Sequence, residues 1–156
     1  MGQSRTILNA VLDSIAVALN DQTIVYEQYR QNPVEIESRN DIPRARISIY
    51  EQSEVVTTKV DAEFANLART RYGIDISVLR AYNRDDASKG ELPLADLKDA
   101  IVEWSKTFDA STATTAYIYT FGYEGSTSIT RNPRYVTQTL NFSSVRDLFS
   151  NQTNPT

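Results

Sequence analysis

The sequence contains no cysteine and no histidine in 156 residues. The first absence excludes disulfide staples, thiol nucleophiles and thiolate metal sites; the second removes the side chain that most often shuttles protons near neutral pH. Without histidine a Ser-His-Asp triad is impossible, and no serine occupies a Gly-x-Ser-x-Gly setting. Glycine is scarce too. Its five copies, Gly2, Gly73, Gly90, Gly122 and Gly125, are too scattered to cradle a phosphate. Long apolar runs are missing, since the best of them, Ile7 to Leu19, is broken by Asn9, Asp13 and Ser14 and reads as neither a membrane span nor a signal-peptide core. Positive charge is the minority: 16 Lys and Arg against 20 Asp and Glu leave a net charge of -4, opposed to general binding of nucleic acid.

What remains is an ordinary globular balance, 40% hydrophobic and 23% charged. The length predicts one domain over 1-150, with 151-156 as a polar, flexible C-terminal tail. The absence of cysteine agrees with a reducing cytoplasm. Nine tyrosines and one tryptophan favour residues with a polar handle, the kind enriched at interfaces.

Periodicity predicts an α+β fold: a mixed, mostly antiparallel sheet packed against two long helices, with a protruding β-hairpin. Ser4 is a candidate N-cap for a first helix in which Ile7, Leu8, Val11, Leu12, Ile15 and Leu19 recur at helical spacing, ending near Asn20. Thr23 to Tyr29 reads as a short strand. Ala45, Ile47 and Ile49 alternate with Arg44, Arg46 and Ser48, and Val55 to Val60 reads as a separate strand beyond a link at Gln52 and Ser53. Asp61 is a candidate cap for a short helix with Phe64, Leu67 and Ala68 inward and Gly73 at its end, a continued strand being the alternative. A strand from Ile74 to about Tyr82 and a solvated loop over Asn83 to Gly90 follow. The second long helix carries Pro93 in its first turn and a seam of Leu94, Leu97, Ile101, Trp104 and Phe108.

The most informative stretch is the hairpin, predicted as Thr114 to Tyr123 and Arg134 to Phe142 around the link Glu124 to Pro133. Tyr117, Tyr119, Phe121 and Tyr123 are expected on one side, and Val136, Gln138, Leu140 and Phe142 on one side of the returning strand. The link is too long for a tight turn, so its tip is expected to reach toward a neighbour. Paired acids are weak candidates for catalysis here. Asp85 and Asp86 lie in a wet loop, Asp96 and Asp99 suit the start of a helix, and Glu124 lies in the link. Neither a cofactor nor a metal site is expected, and the reading is of a protein that is not an enzyme.

The order of elements resembles that of the tail terminator, or tail completion, proteins of long-tailed bacteriophages and the related neck proteins. The likeness runs from about Ser4 to Leu148, through the long helix Leu94 to Phe108 and the closing strands Tyr135-Val-Thr-Gln-Thr-Leu-Asn-Phe and Val145-Arg-Asp-Leu. It implies a virion protein, assembled in the host cytoplasm, whose protomers close into a homo-oligomeric, hexameric ring. Such a ring caps the tail tube, meets the neck or connector proteins, and lets DNA pass without specific binding; no membrane is involved. An acidic channel suits that passage. Head-to-tail closure needs two complementary patches per protomer. On the β and loop assignments, the interface candidates are Arg44, Arg46, Arg69, Arg71, Tyr119, Glu124, Arg131, Arg134 and Tyr135, with Asp85 and Asp86 facing the channel. The competing readings are a head-closure connector, a monomeric protein-binding module and, from another class, a hydrolase using Asp85, Asp86 or Glu124.

Overall fold

Apolar residues three and four apart place Ile7, Val11, Leu12 and Ile15 on one side of α1 (Gln3–Leu19), and all four are buried. In this computed structural model, which describes residues 2–28, 44–57, 67–80, 89–115 and 117–147, α1 starts after Gly2 rather than at Ser4. It stops at Asn20, whose left-handed backbone (φ 48°) returns its N–H to the Ala16 carbonyl at 3.0 Å. The second predicted seam is also realised. Leu94, Leu97, Ile101 and Trp104 are buried on α2 (Glu91–Thr107), and Phe108 packs partly buried beyond its end. The Trp104 indole N–H donates to Ser14 Oγ at 2.8 Å and ties the two helices together.

These helices cover one face of a six-stranded sheet whose order is β1 (Ile24–Glu27), β2 (Ala45–Thr57), β3 (Leu67–Leu79), β6 (Tyr135–Asp147) and β4 (Gly122–Ser126). The two-residue β5 (Thr130–Arg131) also pairs with β6. Only β1 and β2 run parallel. Register aligns Ala45, Val78 and Val136, then Ile49, Ile74 and Leu140, then Tyr72 and Phe142, in cross-strand rows on the helix side. All of these are buried. Phe121 completes the layer: its ring stacks on Phe142 at 4.8 Å and meets Trp104 edge-on at 5.9 Å.

Several expected boundaries move, each for a local reason. The stretch from Arg44 to Thr57 is not two strands joined by a link, because β3 pairs along its whole length and absorbs the break in alternation as a bulge between Glu51 and Ser53 in a continuous β2. Leu67, Ala68 and Gly73 belong to β3 rather than to a helix, since β2 and β6 pair along both sides of that segment and tertiary pairing overrides helix propensity. The expected cap Asp61, Phe64, the 83–88 part of the solvated loop and the tail lie outside the described residues.

The hairpin differs most. A short helix, α3 (Ala110–Ala113), follows α2, and the first hairpin strand begins only at Gly122 rather than at Thr114. The buried Thr114 hydroxyl explains the shift: it donates to the Ala110 carbonyl at 2.6 Å and accepts the Ile118 N–H at 3.2 Å, curling the chain. Ile118 then makes a single bridge to Arg146. The tyrosines consequently do not share a side: Phe121 is buried, Tyr117 and Tyr123 are half-buried and Tyr119 is exposed. The link from Glu124 to Pro133 does not protrude either, because β4 and β5 both lie along β6. Asn132 supplies the tight turn, its Oδ1 accepting the N–H groups of Arg134 and Tyr135 at 2.9 and 2.6 Å.

The opposite face of the sheet is polar. Tyr50 and Gly73 are cross-strand partners, and the Tyr50 ring lies so close over Gly73 that a Cβ there would stand 2.5 Å from its Cζ. This approach lets the Tyr50 hydroxyl donate to Asp75 Oδ1 at 3.0 Å, an oxygen that also accepts the Thr139 hydroxyl at 2.6 Å. Burial, followed by the Asp75 charge, raises the Tyr50 pKa and keeps it a donor. Beside it, Gln52 Nε2 donates to Asn141 Oδ1 at 3.0 Å. Gly73→Ala is therefore expected to lower stability by about 1–3 kcal/mol, the usual cost of overpacking, but by much less in a Tyr50→Ala background. A urea-unfolding double-mutant cycle reads this coupling, and simple additivity would contradict it.

Candidate interaction surfaces

Beyond the bulge, the far halves of β2, β3 and β6 continue as a three-stranded wing, with the segment around Ile118 beside β6. Its two sides differ because side chains alternate along each strand. On the helix side, Arg146 is only 8% exposed. Its Nε donates to Gln3 Oε1 at 2.6 Å, and Nη1 reaches Ser4 Oγ at 3.0 Å, Glu54 Oε2 at 3.2 Å and Glu51 Oε1 at 3.5 Å. Thr70 Oγ1 donates to the same Glu54 oxygen at 2.8 Å. Arg146 thus fastens the first turn of α1 to the sheet. Burial and then Glu54 push the Glu51 carboxyl above its ordinary range, although Arg146 pulls it down. The ion pair does not offset those costs. Arg146→Met is expected to destabilise the fold by about 3 kcal/mol, as removal of one partner of a buried pair does, whereas Glu51→Gln is expected to be near neutral. Chemical denaturation compares the two, and equal losses would contradict the assignment.

On the other side of the wing, register puts Val55, Arg69 and Val145 in one cross-strand row. Tyr119 extends the row, its N–H reaching the Val145 carbonyl at 3.4 Å. Val55 is 66% exposed, Tyr119 51% and Val145 36%, and Arg69 is exposed with them. Arg71 stands one row closer to the sheet centre, opposite Ser53 and Ser143, with Nε 3.9 Å from Glu124 Oε1. This is the only place among the described residues where exposed apolar and cationic side chains share a sheet row.

The sequence-derived candidates distribute as follows. Arg69, Arg71 and Tyr119 meet in the wing, with Glu124 at its border. Arg46 is buried and paired with Glu27, and Tyr135 is fully buried, so both lie inside the protomer. Arg131 pairs with Glu91 of α2 at 3.2 Å, and the exposed Arg134 stands in the turn before β6, its carbonyl accepting the Arg80 N–H. Arg44 Nη2 lies 2.7 Å from Asp21 Oδ2 near β1, at the opposite end of β2 from the wing. Asp85 and Asp86 lie outside the described residues. Val55, Val145 and Arg146 were not singled out from sequence, because a β-branched run reads as core wherever it falls.

A shallow depression of about 310 Å³ lies between the helices, lined by Ser14, Trp104, Thr107, Phe108, Asp109, Thr112 and Ala113. Its one carboxylate is already used: Asp109 caps α3, its Oδ1 accepting the Thr112 N–H at 3.2 Å and its Oδ2 the Thr112 hydroxyl at 2.8 Å. Those bonds lower its pKa and hold it ionised. Among the described residues no three acids converge as a metal site would require, and no helix is long and apolar enough to cross a membrane. No protein-family model matches the sequence, and no curated protein matches it.

Asp21 is the most perturbed surface acid. The Thr23 hydroxyl, then the Thr23 N–H, then Arg44 lower its pKa from 3.8 to about 2. A depressed carboxyl pKa adds stability that is present above the unfolded value and lost as pH falls through the folded one, here between 3.8 and about 2. Thr23→Val is expected to raise the Asp21 pKa more than Arg44→Gln does, measured by carboxyl NMR titration. The reverse order would make the ion pair the leading cause.

Proposed function

We propose that this chain is a structural ring subunit of a bacteriophage virion, closing the end of the tail tube and joining it to the neck. The observation that carries the reading is the two-sidedness of the protomer. One side is a helix layer with a charged outer surface; the other is a polar sheet face ending in an exposed row of valine, arginine and tyrosine. Unlike surfaces on opposite sides favour head-to-tail contacts, and a head-to-tail contact that closes makes a ring.

The acids near the surface support contact rather than catalysis. Asp109 caps a helix, Asp75 accepts two hydroxyls, and Asp21 is held by Thr23 and Arg44. A general acid or base would need a pKa raised toward neutrality inside a dry cleft; burial does push up Glu51 and Glu27, but each is ion-paired to an arginine, Arg146 and Arg46. The net charge of -4 suits a channel that lets DNA slide past, since phosphate is repelled rather than held. In this reading a hexamer sits between tail tube protein and connector.

The test is to measure the mass of the purified chain by light scattering, then image it by negative stain after mixing with tail tubes. The reading expects rings on tube ends and co-purification with tube protein. Co-purification with portal or adaptor instead would move the subunit to the head-closure layer. A monomer that neither caps tubes nor joins either neighbour would overturn the reading and favour a monomeric binding module.

A further inference from the structure

The wing row and α2 carry complementary chemistry. Leu92, Asp96, Asp99 and Glu103 recur at spacings of four, three and four, which stacks them as one stripe on α2, opposite the buried Leu94, Leu97, Ile101 and Trp104. All four are exposed, Leu92 to 58%. Glu103 is paired with Lys106 at 3.2 Å, whereas Asp96 and Asp99 have no ion-pair partner among the described residues. The wing presents the converse: Val55, Val145 and Tyr119 around Arg69, with Arg71 alongside. Arg69 also has no ion-pair partner among the described residues, and Arg71 has only the long contact to Glu124.

We infer that the Val55–Arg69–Val145–Tyr119 row, with Arg71, docks on the Leu92–Asp96–Asp99–Glu103 stripe of a second copy of this chain. The inference rests on the reading of the protein as a self-assembling ring, and names the surfaces that join its protomers. Charge complementarity selects the occupant: an acidic helical stripe is offered by every other copy. The two surfaces stand on opposite sides of the sheet, so one protomer cannot join its own row to its own stripe. Each copy therefore receives one neighbour and is received by another. Leu92 supplies the apolar contact that the valines and Tyr119 need, and Asp96 and Asp99 meet the two arginines.

Reversal of either patch alone places like charges together. In the full-length chain, Arg69→Glu with Arg71→Glu, or Asp96→Lys with Asp99→Lys, is expected to weaken self-association roughly a hundredfold in sedimentation velocity. Circular dichroism should be unchanged, since all four side chains are exposed. Combining the four substitutions in one chain restores opposite charge across the contact and is expected to restore assembly, a result that general damage to the fold would not produce. Assembly that persists in both reversed variants, or fails to return in the combined variant, overturns the inference and leaves the ring reading standing. A wild-type chain that stays monomeric at every concentration overturns both.

Discussion

The interaction on which the described structure depends is the double pairing of β3, which is bonded to β2 on one side and to β6 on the other from Leu67 to Val78, and to β6 as far as Leu79. A strand held this way must satisfy both faces at once. Its even positions from Tyr72 to Val78 enter the helix-covered core, and its odd positions carry Arg69, Arg71, Gly73, Asp75 and Ser77 to the other side. A slip of one residue would exchange the two sets, placing arginines and an aspartate under the helices. Gly73 and the Tyr50 ring above it reinforce that register, because only a residue without Cβ admits the ring that reaches Asp75.

Everything on the helix side follows from that register. Phe142 lies beside Tyr72, Phe121 stacks on Phe142, and Trp104 and Phe108 of the α2 end close over Phe121. The aromatic cluster therefore joins β3, β6, α2 and the segment before β4, while the hydrogen bond from Trp104 to Ser14 brings in α1. Arg146 performs a similar service at the wing, beside the buried Ala68 and Ile118: a buried guanidinium with four polar partners holds the α1 N-terminus down. The result is a sheet anchored to the helix layer at the wing, with Val55, Arg69, Val145 and Tyr119 exposed on its far side.

The two long helices were legible because each repeats apolar residues at three and four over four turns, a signal no short strand imitates. The returning strand, with Val136, Leu140 and Phe142 on one side, was legible from its alternation. The first half of the hairpin was not. Tyr-x-Tyr-x-Phe-x-Tyr alternates perfectly, yet the Thr114 hydroxyl, a single side chain bonding the backbone, turns the chain before it can extend. Bulge and turn were likewise confused at Gln52-Ser53, since both demand only a local break in alternation. Of the surface candidates, Arg69, Arg71 and Tyr119 proved to lie together, but no periodicity within one strand tells which strand will be its neighbour. Arg46 and Tyr135 read as surface residues for the same reason, and long-range pairing buried them.

The functional reading asks this two-faced protomer to serve as a repeating contact, with helix stripe and wing row as its unlike ends. The most direct measurement is residue-level solvent labelling of the chain at low and high concentration: hydroxyl-radical modification of Tyr119, together with carbodiimide modification of Asp96 and Asp99. The account predicts that all three become protected together as copies associate, while exposed side chains elsewhere, such as Val17 on α1, stay reactive. Association that leaves Tyr119 and the α2 aspartates as reactive as before would contradict it.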